Sequence, residues 1–347
     1  MNKQVSIKDI AAALHVSLAT VHKALTGKPG ISDVRRKEIL AAAEEMGYTV
    51  NPAAQTLSRK IRHIGVIYPA VWHEFFAQMK SGIEEELLSL QNYKVAGIYY
   101  TIPASPAQSE AEQIRNWLKE EEIDAVLYCA SHFAYDSIAT QALQDCGLPV
   151  FWVGGGSENP MHVPSITVDA VLAGKMAADF LSCACAEPLK AAIFLGSMKN
   201  DVHKAKAEAF CQRVAENGGQ VLCICETEDI PEKARAAIAQ QCAAHPALNA
   251  IFVCTATSAP ISAYIEENNL QERIVLLGTD IFDTLKSAVN TGVMKATIYQ
   301  HQEQVGRLSV AYAYEYLTKN QSYGYAGWQP ERLLLVKPSL LLKANLE

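Results

Sequence analysis

Two hydrophobic periodicities divide the chain. Up to about residue 60 the apolar positions recur at helical spacing, and beyond it they come in short unbroken runs. Ser6 is placed to cap a first helix striped by Ile7, Ile10, Ala11 and Leu14, which ends near His15 and Val16. Ser17 opens a second helix whose inward stripe is Val21, Ala24 and Leu25, leaving Leu18, Ala19, His22 and Lys23 outward. Gly27, Pro29 and Gly30 interrupt the chain before Ser32 opens a third helix, with Val34, Ile39, Ala42 and Met46 on its apolar side and Gly47 as its stop. Two short helices meeting at a tight turn, the second with a free face, spell a helix-turn-helix. Asn51 and Pro52 then start a further short helix over residues 51–59. At about nine residues it is too short to persist alone in water and is expected to order only against partners.

From residue 61 onward the runs are IGVIYP at 64, KVAGIYY at 94, AVLYCA at 125, PVFWVGG at 149, AAIFLGS at 191, VLCICE at 221, AIFVCT at 250 and IVLLGTD at 274. Each precedes a helix-like stretch, which is the pattern of parallel βαβ units. The expected fold is therefore α/β: a three-helix head (1–49), a hinge helix (50–60) and a two-lobed, doubly wound body (61–347). One lobe is assigned about residues 61–160 and 295–325, the other about 161–294 and 326–347, with crossings near Pro160–Pro164 and Thr291–Thr297. LLLVKPSLLL reads as a late strand or two. A ligand crevice belongs beyond the carboxyl ends of the strands, where Phe75, Gly154, Thr255 and Asp280 would cluster.

Composition sharpens the division. Residues 1–62 hold ten Lys or Arg against five Asp or Glu, a net +5, while the remainder is net −12. A basic head suits a phosphate backbone, and an acidic body avoids unspecific adhesion to it. Lys3, Lys8, Lys28, Arg35, Arg36, Lys37, Arg59 and Lys60 form the pool of phosphate partners. With 347 residues, 50% of them hydrophobic, and no run of ~18 apolar residues or leader-like start, the expectation is a cytoplasmic protein without a membrane span. Nine cysteines without a CxxC pair agree with a reducing compartment. The CxC pairs Cys183/Cys185 and Cys223/Cys225 have the softness for a metal, but buried thiols are the simpler reading, and no cofactor is expected.

DIA (Asp9–Ala11), VSLATV (Val16–Val21), the pair Gly47 and Tyr48, and NPAAQTL (Asn51–Leu57) together resemble the LacI/GalR family. The resemblance implies a homodimer that places its second helix in the major groove of a near-palindromic double-stranded DNA operator. Leu18, Ala19, His22 and Lys23 would face the bases, with Ser6, Ser17, Thr20, Ser32, Asn51 and Ala54 as further DNA contacts. Leu57 would wedge into the minor groove, although packing against the head is its bland alternative. The family usually has serine then arginine where this chain has His22 and Lys23. Lysine is a point donor rather than a bidentate fork, so the base preference does not carry over.

The body resembles type I periplasmic binding proteins, above all their ribose-binding branch, through HEFFAQMKSGIEEE (His73–Glu86), GTD (Gly278–Asp280) and ATIYQHQEQVG (Ala296–Gly306). By that resemblance Phe75 and Phe76 stack on a sugar or polyol effector, Asp280 and Gln300 bond its hydroxyls, and His73, Lys206, Phe210 and Thr255 join the pocket. Lys206 stands where an arginine is usual, and Thr255 to Ser258 replace the customary asparagine and aspartate. Core packing of one phenylalanine and a helix-capping role for Asp280 are the alternatives. GxSxG, HExxH, P-loop and GxGxxG patterns are all missing, which speaks against an enzyme, and the resemblance implies an effector-controlled transcriptional regulator, a repressor. The alternative is a cytoplasmic sugar-binding protein or enzyme that has lost specific DNA binding. A chain that stops at KANLE without a leucine heptad favours a dimer over a tetramer, with the helices at about 74–90 and 105–120 as candidate interface surfaces.

Overall fold

A computed structural model describes residues 5–25, 29–48, 60–70, 73–130, 134–156, 159–255, 257–322 and 333–346. The expected hinge helix, with Asn51, Ala54 and Leu57, lies outside the described residues, as do Lys3, Lys28 and Arg59.

The head consists of α1 (Ile7–Ala13), α2 (Leu18–Leu25) and α3 (Asp33–Glu45). They close on one small core of Ile10, Ala11, Val21, Ala24, Ile39 and Ala43. Val34 was expected on the inner side of α3 but is 79% exposed. The reason is angular: five residues before Ile39 is about 140° around a helix turning 100° per residue, so Val34 faces solvent. Arg35 and Arg36, closer to the inward direction, are half-buried instead.

The body is built on two six-stranded sheets. The first has the order β11-β5-β4-β3-β1-β2, from β1 (Arg62–Pro69), β2 (Val95–Ile102), β3 (Ala125–Cys129), β4 (Val150–Val153), β5 (Ser165–Val168) and β11 (Leu333–Val336). The second has the order β12-β10-β9-β8-β6-β7, from β6 (Lys190–Leu195), β7 (Gln220–Glu226), β8 (Ala250–Val253), β9 (Val275–Thr279), β10 (Met294–Tyr299) and β12 (Ser339–Leu341). Pairing is parallel except for β12 against β10. Strands buried on both faces, such as β3 and β8, read as unbroken apolar runs because helices cover both sides.

The sheets redraw the expected lobe boundaries. Ser165–Val168 belongs to the first sheet and Met294–Tyr299 to the second, and LLLVKPSLLL splits between them. The chain crosses between lobes after β5, after β10 and between β11 and β12, rather than at Pro160–Pro164 and Thr291–Thr297. The short SITV segment and the polar-interrupted MKATIY gave weak strand signals, so their neighbours looked like linkers. The crossings are laced together. Asp169 N donates to Val336 O at 2.8 Å, and His301 Nε2 lies 2.7 Å from Ser339 Oγ.

Each lobe contains one helix pair in backbone contact at glycine. In the first, α4 (His73–Ser89) packs on α12 (Gln302–Ser322), and a Cβ on Gly82 would come within 1.9 Å of Glu303 O. In the second, α7 (Ala170–Ala184) packs on α8 (Asp201–Glu216), and a Cβ on Gly174 would come within 2.2 Å of Lys206 O.

Candidate functional site

The head presents α2 as its free face. Leu18 is 48% exposed, Ala19 and His22 are exposed, and Thr20 and Lys23 are half-buried. Three of the expected DNA-contact serines sit at helix starts. Ser6 N donates to Asp9 Oδ2 at 2.8 Å, Ser17 Oγ accepts from Thr20 N at 3.1 Å, and Ser32 Oγ accepts from Arg35 N at 3.3 Å. The side chains of Ser17 and Ser32 satisfy helix ends, the Ser6 hydroxyl donates to Asp9 instead, and all three serines remain at the surface. Lys23 folds back over the turn, its Nζ 3.1 Å from where a Cβ on Gly30 would sit, so it is less extended than the sequence suggested. Arg35 and Arg36 also have internal work: Arg35 Nη2 donates to Leu14 O and Arg36 Nη1 to Lys23 O, each at 3.3 Å, tying α3 to the turns around α2. Lys8 and Lys37 stay exposed, while Lys60 pairs with Glu122 at 2.9 Å.

In the body, the carboxyl ends of β8, β9 and β10 and the middle of α8 converge on a chain of hydrogen bonds. Lys206, only 2% exposed, donates from Nζ to Cys254 O at 3.2 Å and to Gln300 Oε1 at 2.6 Å. Gln300 Nε2 donates to Asp280 Oδ2 at 2.7 Å. The amide thus stands between cation and carboxylate, and its two partners fix its orientation. Asp280 is held by its backbone as well, with N donating to Ile298 O at 2.7 Å, O accepting from Thr297 Oγ1 at 2.5 Å, and φ of 66°. It does not cap the next helix, since α11 (Asp283–Asn290) has Phe282 at its N-cap position.

Burial dominates the electrostatics. It pushes the Asp280 carboxyl up to about 6, against the pull of Lys206 and of the Gln300 and Gln302 side chains, and it lowers the Lys206 ammonium below the ordinary lysine range. Asp280 Oδ1 is buried without a hydrogen-bond partner among the described residues, as are both amide atoms of Gln302 and Oδ1 of Asp229. Asp229 follows β7, and burial raises its carboxyl while Thr255 and Lys206 hold it down. Gly196 makes room for it, because a Cβ there would lie 2.4 Å from Asp229 Oδ2. Asp229 and Gln302 were not singled out in the sequence. The strand-end rule that pointed to Asp280 would also have reached Asp229, three residues past VLCICE.

The aromatic residues separate. Phe75 is half-buried and packs against apolar clusters of both lobes, whereas Phe76, 5% exposed, belongs to the core of the first. Their rings meet edge to face at 5.3 Å. Phe210 is wholly buried, its ring centroid 5.1 Å from that of Phe252, and lies in the core of the second sheet rather than at a cleft. Phe76 and Phe210 are therefore support beneath the site, because one face of each helix must fill its lobe. Thr255 is buried with its hydroxyl 3.0 Å from that of Thr257, and His73 begins α4. Two contacts link the lobes nearby: Gln78 Nε2 donates to Ile281 O at 3.4 Å, and Gly156 N to Asp201 Oδ1 at 3.3 Å. A polar cavity of 560 Å³ opens at the lobe junction, lined by Asp136, Thr140, Asn159, Lys199 and Asp201 among others, but by none of the expected effector residues. The buried polar chain is the better candidate centre, since unsatisfied buried groups call for a partner.

No group of His, Cys, Asp and Glu among the described residues is arranged to hold a metal, and no helix there is long and apolar enough to cross a membrane. Cys225 Sγ donates to Cys223 Sγ at 4.0 Å, and the two thiols form no disulfide.

Residues 64–321 match the periplasmic binding protein domain family, and residues 6–51 match the bacterial regulatory proteins, lacI family. Among curated relatives, catabolite control protein A of Priestia megaterium is 26% identical over 168 residues, 48% of each chain. The HTH-type transcriptional regulator RegA of Clostridium acetobutylicum is 29% identical over 178 residues, 51% of each. The chain spans about half the length of these relatives. Among solved structures, the lac repressor dimer bound to operator and the anti-inducer ONPF aligns over 98% of both chains at 17% identity and a TM-score of 0.65. GanP, a glucose-galactose binding protein from Geobacillus stearothermophilus, aligns over 83% of this chain and 99% of its own at 16% identity and a TM-score of 0.70. With residues 64–321 matched, the chain belongs to the periplasmic binding protein domain family, and its helix-turn-helix head matches the lacI family of bacterial regulatory proteins over residues 6–51.

Proposed function

We propose that this protein is a sequence-specific, DNA-binding transcriptional repressor of the cytoplasm, acting as a homodimer on a near-palindromic operator under the control of a sugar or polyol. The observation that carries the reading is the presence, on one chain, of a capped head with an open α2 face and a body whose cleft holds the Lys206–Gln300–Asp280 chain. The first can lie in a major groove, with Leu18, Ala19 and His22 outermost. The second suits hydroxyls, with Phe75 available for C–H groups.

Control follows from where Gln300 sits. It occupies a crossing between lobes, so a ligand that engages Gln300 and Asp280 from one side and Phe75 from the other biases the angle between them. β1 follows residues 50–60 directly, so that angle reaches the segment joining head to body. Two chains held at the right angle would let residues 50–60 of both dock at the operator centre, where Leu57 acts as the wedge. The size of the response is bounded by the ligand's differential affinity for the two states.

The test is selection from a random double-stranded DNA pool with the full-length protein, without ligand and again with a sugar mixture. Enrichment of one near-palindrome is expected. Failure to enrich under both conditions overturns the regulator reading in favour of a sugar-binding protein that has lost its operator.

A further inference from the structure

The floor of the cleft is richer in acceptors than in donors. Asp280 Oδ1, Asp229 Oδ1 and Gln302 Oε1 are buried and unpartnered among the described residues, with one unpartnered donor beside them, Gln302 Nε2. Against them stands Lys206, the one buried cation among those residues, which already directs two of its three N–H bonds to Cys254 O and Gln300 Oε1. Two carboxylates and one ammonium leave one negative charge in excess, and a charge withdrawn from water is costly unless something pairs with it. Asp280 shares in the Lys206–Gln300 chain, which makes Asp229 the carboxylate in excess. Asp229 has been given room: Gly196 yields the space of a side chain to its Oδ2.

A neutral hydroxyl brings one donor and no charge. A protonated amine brings three donors and the missing positive charge. Position sets the size of the ligand. Asp229 follows β7 and Asp280 follows β9, and β6 and β8 lie between these strands. Three strand spacings of ~4.8 Å put the two strand ends ~14 Å apart, and Thr255 draws the Asp229 carboxyl inward from its end, so a molecule bonding both side chains has the span of a sugar ring rather than of a simple amine.

We propose that the effector is a polyhydroxylated amine of sugar size, with its ammonium on Asp229, its hydroxyls on Asp280 and Gln302, and its C–H face towards Phe75. This rests on the reading of the cleft as the effector site. Asp229 is then the residue that selects an amino sugar over its neutral parent.

The experiment is calorimetric titration of the full-length protein at pH 7 with glucosamine, galactosamine and mannosamine, each beside its neutral hexose and its N-acetyl form. At least one amine is expected to bind about tenfold or more tighter than both its neutral counterparts. Asp229→Asn, which keeps the shape and removes the charge, should reduce that advantage to within about twofold. Melting of the ligand-free variant reports separately on its fold. Equal or tighter binding of the neutral hexoses by the unaltered protein overturns the amine and leaves the sugar effector standing. A preference for amine that survives Asp229→Asn overturns the role of Asp229. If no hexose or hexosamine binds at all, the effector reading falls together with the inference.

Discussion

In the first lobe the inner strand β1 runs between β2 and β3, and in the second β6 runs between β7 and β8, so the lobes share their wiring. Their contributions to the proposed effector site differ in kind. The first brings an aromatic ring, Phe75, and the glycines after β4, while the second brings Lys206, Asp229, Asp280 and, at its exit, Gln300. One wiring therefore supports an apolar wall and a charged floor, because what decides the chemistry is the few residues past each strand end and not the sheet that holds them. The floor is also the costlier half to build. Its charges are stable only as a network, while Phe75 rests on ordinary core packing.

The sharpest way to break this comparison is Lys206→Met. Loss of the cation leaves Asp280 and Asp229 buried without compensation, which costs ~3–5 kcal/mol. Binding of a probe sugar should fall by about a hundredfold or more in calorimetry, and the ligand-free melting temperature should drop. A comparable loss from Phe75→Ala would put the two lobes on an equal footing and remove the distinction.

A smaller effect separates the lobes through their helix pairs. Gly82→Ala drives a methyl against Glu303 O, and Gly174→Ala does the same against Lys206 O. Each should cost ~1–3 kcal/mol by overpacking, read as a lower denaturation midpoint. Gly174→Ala should in addition weaken ligand, because it displaces the backbone that carries Lys206. Equal ligand affinities in the two variants would show that α8 does not set the position of the cation.

The mildest test is pH. Burial raises Asp280 from the ordinary aspartate value of 3.8 to about 6. Between those values the folded protein holds more protons than the unfolded chain, so this group adds stability as pH falls and gives it up as pH rises through about 6. Ligand affinity should slope the other way, since in the proposed site the carboxylate is the acceptor. Half a unit below its midpoint about a quarter of the group is ionised, so affinity at pH 5.5 should be about fourfold below that at pH 7. Opposite slopes for melting and binding are expected in the wild type. In Asp280→Asn both contributions should vanish.

The head was legible almost residue by residue, because its caps and stripes are local: Ser17 and Ser32 cap as read, and Val21, Ala24 and Ile39 are inward. Val34 was misplaced only because an apolar residue in a first turn says little about its angle. In the body, strands covered on both faces announced themselves as apolar runs. β5 and β10 did not, since SITV is short and MKATIY carries a lysine and a threonine. Asp280, Gln300 and Lys206 were readable by resemblance, and the structure joins them. Phe76 and Phe210 were not separable from Phe75 in sequence, since an aromatic on a helix looks the same whether it meets the core or a cleft. Asp229 escaped notice because its burial depends on Gly196, contributed by another strand.

The three crossings also have a consequence for how the chain reaches this structure. β11 pairs with β5 at the edge of the first sheet, and every strand of the second lobe except β12 lies between them in sequence. The lobe that begins to emerge first during synthesis thus stays incomplete until the second is nearly finished, with the edge of β5 open until residue 336 has appeared. Contacts of such long sequence separation form slowly, and an unpaired edge is a site for mispairing while it waits. The head, whose contacts are all local, can fold before either lobe is finished, so a nascent chain would hold a formed DNA-binding unit well before it holds the means to control it.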